Sequence, residues 1–516
     1  MPWNFFVQGF GLFMTIHNLL LVLAGVALGI IMGATPGLTA TLAVAVVLPF
    51  TLFLNAVSGI ALLIGVYKGA TYGGSVSAIL IGTPGTPSAA ATVLDGYELS
   101  KQGKPGKALG MAIYASVIGD TFSDIVLILV AYPLAMVALR FGPPELTVIL
   151  VFSLLIIGLV SSGALLKGVV AGLFGLVLSL IGMDPMTGVL RFTFGNPQLF
   201  AGISFLPMLI GMYGISEVLI QAEHRHASDS LQIRNYQDTS KKSRDDNRVT
   251  RKDMKSSLQA IIMSSFIGTG IGILPGLGGA VAAFLGYGVA KNFSKKPEAF
   301  GKGSIEGVAA AEAANNAVCG ATLVPLLAFG IPGDTVTAVL LGAFIIQGLT
   351  PGPRIFQRSG AIIYAIYISM LVANAANLFL GSQVAHYFSR LREIPKRYIF
   401  PVVVGFCVVG SYAVNSNPVD VVVMLVAGLL GYVLRKGGFP LAPVNIALIL
   451  GPKLELSLRQ SLLLSNGDWW TFFKRPLSLG LIIAFTIGGI GLVSVMYSIK
   501  RSRRLGAVQE GPSELD

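Results

Sequence analysis

Two tetrapeptides in this sequence join a helix breaker to groups that can hold an anion. Gly82-Thr83-Pro84-Gly85 leads into Thr86, Pro87 and Ser88, and Gly330-Ile331-Pro332-Gly333 leads into Asp334 and Thr335. Proline removes an amide donor and blocks helix continuation, while glycine accepts a turn. A helix restarting after such a breaker presents free backbone amides and a partial positive dipole. Thr86 or Ser88 stands near the cap of the first, and Asp334 and Thr335 take the matching place in the second. Such an end binds a carboxylate without a full positive charge. Thr83, Pro84, Gly85, Thr86, Ser88, Pro332, Gly333 and Thr335 are therefore the expected solute contacts. Asn315 and Asn316, in the small-residue stretch Ala-Glu-Ala-Ala-Asn-Asn-Ala that carries Glu312, are either further contacts or interhelical hydrogen-bonding groups.

The acids suggest a coupling ion. Asp334 either caps its helix or binds a cation or proton. Asp120 and Asp124 lie four apart on one helix face, as a cation site or as the water-facing end of their span. Lys68 either pairs with a solute carboxylate or snorkels from a helix end. No cofactor is expected beyond Na⁺ or H⁺. His17, His224, His226 and His386 form no ligand constellation, and Cys319 and Cys407 sit in apolar surroundings that imply neither a disulfide nor a thiolate metal site.

The elements that must position these residues lie in a membrane. Of 516 residues 54% are hydrophobic and only 12% charged, and the mean hydropathy is +0.77. Soluble domains carry about 25% charge. Uncharged runs such as Leu12 to Met32, Thr147 to Leu166 and Ser478 to Ile499 are long enough to span a bilayer. Lys and Arg concentrate at 101–107, 225–255, 291–302, 390–397 and 500–504, with Arg435–Lys436 as a further pair. The positive-inside rule turns these to the cytoplasm. The net charge of +12 reflects such loops and is no nucleic-acid signal. Four spans are expected between Lys107 and Arg225, at about 108–139, 145–162, 168–183 and 198–220. Two more fall between Lys255 and Lys291, split at Pro275–Gly276, and a weak one at 439–452. No Lys or Arg precedes Lys68, which places the N-terminus in the periplasm and the basic C-terminus in the cytoplasm. Lys453, Arg459, Lys474 and Arg475 conflict with this count, falling on a periplasmic segment.

The chain also repeats itself. Thr35-Pro36-Gly37-Leu38 recurs as Leu274-Pro275-Gly276-Leu277, and the Gly-x-Pro-Gly breaker recurs after a second apolar run. Neither run flanking that breaker looks long enough to cross the bilayer alone, so each pair reads as a re-entrant hairpin, buried in protein or lining a cavity. Matched broken helices in two halves point to a transporter binding site. The expected fold is an all-α polytopic membrane protein of two inverted-topology repeats, each with a broken-helix hairpin. Its parts are a first repeat over 1–222, a polar cytoplasmic linker over 223–256, a second repeat over 257–499 and a tail over 500–516.

Longer motifs carry a resemblance. Gly33-Ala34-Thr35-Pro36-Gly37-Leu38, Tyr72-Gly73-Gly74-Ser75, Gly82 to Pro87, and Asp95-Gly96-Tyr97 through Gly106-Lys107-Ala108-Leu109-Gly110 belong to it. So do Phe300-Gly301-Lys302-Gly303, Ile305 to Ala309, Glu312 to Ala317 and Gly330 to Gly333. Together they resemble the large membrane subunit, of TctA type, of the tripartite tricarboxylate transporters, over about residues 15 to 500. The resemblance implies a bacterial inner-membrane permease working with a small four-span membrane subunit and a periplasmic solute-binding protein. It implies uptake of organic carboxylates driven by an ion gradient and not by ATP, and no Gly-x-x-x-x-Gly-Lys-Ser/Thr loop is present. Two rival classes are an intramembrane aspartyl protease and a channel. The protease would need Tyr-Asp and Gly-x-Gly-Asp; Tyr-Asp is absent and Gly330 to Asp334 has one residue too many. A monovalent-ion filter would not explain tips suited to carboxylates.

Overall fold

With so few charges to solvate a coil, the chain folds into helix almost throughout. In this computed structural model the described residues are 3–160, 165–223, 247–392 and 396–489. Most of the polar segment 223–256, the end of the run Ser478 to Ile499 and the whole tail 500–516 lie outside them. Among the described residues the strands are two short ones, β1 (Gly182–Met183) and β2 (Leu190–Arg191), paired antiparallel. The helices before residue 224 are α1 (Trp3–Phe13), α2 (Ile16–Ala34), α3 (Ala40–Val47), α4 (Ala56–Ile81), α5 (Ala90–Lys101), α6 (Pro105–Ala138), α7 (Pro143–Val160), α8 (Leu165–Ser179), α9 (Phe205–Ile210) and α10 (Ser216–Glu223). Those after residue 246 are α11 (Arg251–Ile273), α12 (Gly278–Phe293), α13 (Ile305–Ala321), α14 (Leu323–Phe329), α15 (Thr335–Ile346), α16 (Ile355–Arg392), α17 (Lys396–Asn415), α18 (Pro418–Lys436), α19 (Leu441–Leu464) and α20 (Thr471–Lys474). A π-turn at Gly211–Ile215 joins α9 to α10. Seven helical stretches of the described chain are long and apolar enough to cross a membrane. Leu20, Leu129 and Val426 stand exposed on such helices, as lipid-facing residues do. The chain is an all-α polytopic membrane protein.

Several expectations change in detail. The run Leu12 to Met32 is two helices, because Thr15 caps α2 by accepting from Asn18 N, while Asn18 Nδ2 donates to the carbonyls of Leu12 and Phe13. The weak span 439–452 is the first part of α19, a helix of 24 residues. The span expected at 198–220 begins at Phe205, after a loop in which Arg459 reaches Asp184 at 2.6 Å and Arg191 reaches Glu455 at 2.7 Å. Arg475 pairs with Glu145 at 2.8 Å and Lys474 with Asp468 at 2.6 Å, so these conflicting basic residues, Lys453 apart, all have acidic partners. The arm before the first Gly-x-Pro-Gly is also not short. α4 has 26 residues, about 39 Å at the α-helical rise, and it carries the first breaker at its far end. Its counterpart is divided into α13 and α14 at Thr322.

Small residues allow the central packing. Gly25, Gly29 and Gly33 of α2 face Gly65, Gly69 and Gly73 of α4. A Cβ at Gly29 would lie 2.3 Å from the Val66 carbonyl oxygen, and one at Gly69 would lie 2.3 Å from that of Val26. The two backbones touch, an approach that only glycine permits. Asp95 of α5 fixes another junction. Its Oδ1 accepts from the amides of Gly301, Gly303 and Ser304 at 2.7–2.9 Å, and its Oδ2 from the Tyr287 hydroxyl at 2.9 Å. The stretch Asp95-Gly96-Tyr97 is thereby tied to the stretch around Phe300–Gly303, some two hundred residues later.

Candidate functional site

Four helix starts meet at one cavity of about 420 Å³. Each follows a breaker: Pro36–Gly37 before α3, Pro84–Gly85 before α5, Pro275–Gly276 before α12, and Pro332–Gly333 before α15. Thr39–Thr41, Thr86–Ser88, Gly276–Ala280 and Asp334–Val336 all line the space. Within each half the two breakers touch. A Cβ at Gly85 would lie 2.0 Å from the Gly33 carbonyl oxygen, and Gly276 N donates to Gly333 O at 2.6 Å. Across the halves the contacts exchange partners. The Thr41 and Thr335 hydroxyls lie 2.8 Å apart, and a Cβ at Gly279 would lie 3.1 Å from Ser88 Cβ.

The four starts differ in how their amides are used. Thr39 caps α3 by accepting from Leu42 N, and Asp334 caps α15 in a reciprocal box with Thr337. The 3₁₀ turn Pro87–Ala89 that opens α5, and α12 itself, have no side-chain cap bond. At the first of these Pro87 has no N–H and the amides of Ala89 and Ala90 bond to the Thr86 and Pro87 carbonyls, which leaves the Ser88 amide beside Gly279 at the start of α12. Asn315 lines the cavity there, its Oδ1 2.5 Å from a Cβ built on Gly279 and its buried Nδ2 without a partner. Arg435, at the last turn of α18, also lines the cavity and is ion-paired with Glu217. Amides, an amide donor and a guanidinium facing one space make a setting for an anion.

The expected residues divide. Thr86, Ser88, Asn315, Asp334 and Thr335 line the cavity. Thr83 is exposed on the turn, Pro84 is half-buried beside it, and Gly85, Pro332 and Gly333 are buried as the packing behind the tips. The residues in left-handed backbone are Gly82 and Gly330, each at φ 70°, so the first glycine of each motif takes the turn and the second allows close approach. Asn316 does not face the cavity; its Nδ2 donates to Ser116 Oγ at 2.8 Å and to the Glu312 carbonyl at 3.0 Å. Asp334 caps its helix and also lines the cavity. Its Oδ1 accepts from Thr337 N at 2.7 Å, its Oδ2 from the Tyr67 hydroxyl at 3.1 Å, and it faces the cavity.

Asp120 and Asp124 lie elsewhere and are not a water-facing end. Both are buried, and Lys68 Nζ reaches Asp120 Oδ1 at 2.8 Å, Asp124 Oδ2 at 2.7 Å and Asn374 Oδ1 at 2.8 Å. Lys68 neither snorkels nor lines the cavity. One ammonium serves two carboxylates, and Asp120 Oδ2 and Asp124 Oδ1 remain without partners. Sequence reasoning missed Thr39–Thr41, Gly276–Ala280 and Arg435 as cavity residues. The paired Pro-Gly steps at 36–37 and 275–276 were the available signal for the first two. Nothing local marks Arg435, which resembles any basic residue ending a span.

Relatives cover the whole of the site. An uncharacterized 52.8 kDa protein of the TAR-I ttuC' 3' region of Agrobacterium vitis is 37% identical over 501 residues, covering 96% of each chain. An uncharacterized protein of the TAR-II ttuC' 3' region of the same organism is 40% identical over 237 residues, 46% of this chain and 96% of its own. No solved structure matches. Residues 19–446, which include all four breakers, the cavity tips and Arg435, match the Tripartite tricarboxylate transporter TctA family, and the chain belongs to that family.

Proposed function

We propose that this protein is the permease subunit of a binding-protein-dependent transporter that takes up a small organic carboxylate, of the dicarboxylate or tricarboxylate class, on a cation gradient. The observation that carries the reading is the convergence of four helix starts, two without side-chain caps, on one cavity with Arg435 and Asn315. A solute carboxylate sits between Ser88 and Gly279, where the Ser88 amide, the first amides of α12 and Asn315 Nδ2 supply donors, and Arg435 attracts the remaining negative charge. Gly85, Pro84, Pro332 and Gly333 hold the tips in place, and Thr83 shapes the first turn. The coupling ion is Na⁺ or H⁺; Asp334 and the Asp120–Asp124 pair are its first candidates.

The order of elements supports two related halves: helix, Pro-Gly, helix; helix, Gly-x-Pro-Gly, short helix; then a very long helix. α2 to α6 and α11 to α16 follow the same order. In our reading the halves are inverted and exchange shapes around the cavity, in the bacterial inner membrane, with the basic loops in the cytoplasm. A small membrane subunit and a periplasmic binding protein complete the complex, as the family name implies. The protein acts as a carrier and not as an enzyme or a channel.

Counterflow tests this. The chain is reconstituted in proteoliposomes with the two partner subunits, and labelled succinate, malate or citrate is offered outside against unlabelled solute inside. Saturable exchange that needs the binding protein is the expected result. Conductance without exchange, or submicromolar uptake at full rate by this chain alone, contradicts the reading.

A further inference from the structure

Glu312 is a fully buried carboxyl in the middle of α13, and no Lys, Arg or His pairs with it among the described residues. Burying an ionised carboxylate without a positive partner is among the costliest arrangements in a protein interior. The other buried acids nearby have found partners. Asp120 and Asp124 share Lys68, Asp95 takes three amides and a phenol, and Asp334 caps α15. Around Glu312 there are only neutral groups. Thr92 Oγ1 of α5 is hydrogen-bonded to Oε1, and Ser116 Oγ of α6 donates to Oε2 at 3.0 Å.

The directions of these bonds can be followed. Asn316 Nδ2 can only donate, so Ser116 Oγ receives a hydrogen from it at 2.8 Å and passes its own on to Glu312 Oε2. Oε2 is therefore an acceptor. Oε1 faces a hydroxyl that can equally receive, and it is the oxygen free to carry a hydrogen. Ser75 Oγ of α4, another neutral hydroxyl, stands beside the same carboxyl, and the buried Asn316 Oδ1 has no partner.

We propose that Glu312 is a proton-carrying site of this protein, with the hydrogen held on Oε1 and donated to Thr92 Oγ1. The inference rests on the transport reading and adds a residue to it, at a place where neither Asp334 nor the Asp120–Asp124 pair lies. In the step itself the carboxylate Oε1 forms one O–H bond with a proton taken from water, and loses that proton to water on the other side. Charge and atoms balance with no further reactant. Thr92 lies one helical turn beyond Ser88, which lines the solute cavity, so a change at the α5 tip is felt at Oε1. The other titratable groups around the site are accounted for. Tyr72 of α4 donates to the Gly381 carbonyl, Asp95 of α5 and Tyr287 of α12 are bonded to each other, and Asp120 of α6 is held by Lys68. α11, packed on the other side of α13, faces it with Gly268 and Gly272.

Two measurements on the full-length protein test the proposal. Infrared difference spectra across a pH titration read the carbonyl stretch of a protonated carboxyl, with no partner subunit or solute needed. The wild type should show such a band at neutral pH, Glu312→Gln should lack it, and Thr92→Val should keep it but move it to higher frequency. In proteoliposomes holding the whole complex, Glu312→Gln should lose roughly tenfold or more of the accumulation driven by a pH gradient while keeping counterflow of the same labelled carboxylate. No Glu312-dependent band overturns the proposal, including the case in which Glu312→Gln abolishes sodium-driven accumulation, which would assign the site to Na⁺. Undiminished pH-driven accumulation by Glu312→Gln overturns it too. Absence of exchange in the wild type would instead defeat the transport reading, leaving the infrared band to decide whether Glu312 holds a proton.

Discussion

The second glycine of each Gly-x-Pro-Gly motif is fixed by what lies against it. Gly85 has the Gly33 carbonyl at 2.0 Å from a would-be Cβ, and Gly333 has Thr322 Cβ at 2.7 Å. Gly85→Val and Gly333→Val should each abolish counterflow while the protein still inserts, because a tip is displaced by a side chain with no space to enter; transport near the wild-type rate in both would remove the tips from the site. Asp334 separates two roles by substitution. Asp334→Asn keeps an N-cap and Asp334→Ala loses one, at a cost of about 1 kcal/mol of stability. If its charge serves the coupling ion, both variants change ion dependence, whereas a capping role alone leaves Asp334→Asn transporting normally with the wild-type ion requirement. The breakers and the Asp334 cap were legible in the sequence because proline, glycine and aspartate act locally, whereas the start after Gly85, near Thr86 and Ser88, carries no side-chain cap. The partner of Lys68 was not. Its carboxylates lie 52 and 56 residues away and Asn374 lies 306 away, and nothing about an isolated lysine in an apolar run distinguishes pairing from snorkelling.

At the level of elements, α5 is held at its middle. Its start faces the cavity, and through Asp95 its body is bonded to the loop that leads into α13. Asp95→Ala leaves three amides and the Tyr287 hydroxyl without an acceptor, each at about 1–3 kcal/mol if it stays dry. The expected outcome is a marked fall in thermal stability and faster amide exchange at Gly301–Ser304; unchanged exchange there would show the loop to be held by other contacts. The existence and approximate bounds of α6, α7 and α8 followed from hydropathy. The errors came where polar chemistry overrides hydropathy. Thr15 and Asn18 break an otherwise continuous apolar run, and the small residues of α4 disguise a full-length helix because Gly, Ser and Thr lower its mean hydropathy without ending it. That the 36–37 and 275–276 breakers also reach the cavity was hidden, since assembling four tips is a property of tertiary packing.

For the molecule as a whole, the orientation drawn from the basic loops makes a direct claim. Single cysteines near residue 3 should be labelled from outside in intact spheroplasts by an impermeant maleimide, and cysteines in the tail after Lys500 should not; a labelled tail would reverse the topology. The glycine seam between α2 and α4 bears on how such a molecule can move. Long side chains let two helices slip past one another by small rotamer changes, like bristles that bend. Here carbonyls rest on α-carbons at four-residue intervals, so the joint has teeth but no bristles. Sliding by less than a tooth, about 6 Å or a little over one turn, meets backbone on backbone. α2 and α4 therefore travel together as a single girder that carries the Pro36–Gly37 and Pro84–Gly85 tips as one piece. Any give in the machine falls to the hydroxyl and glycine contacts where that girder meets the opposite half, Thr41 against Thr335 and Ser88 against Gly279, which are also the walls of the cavity.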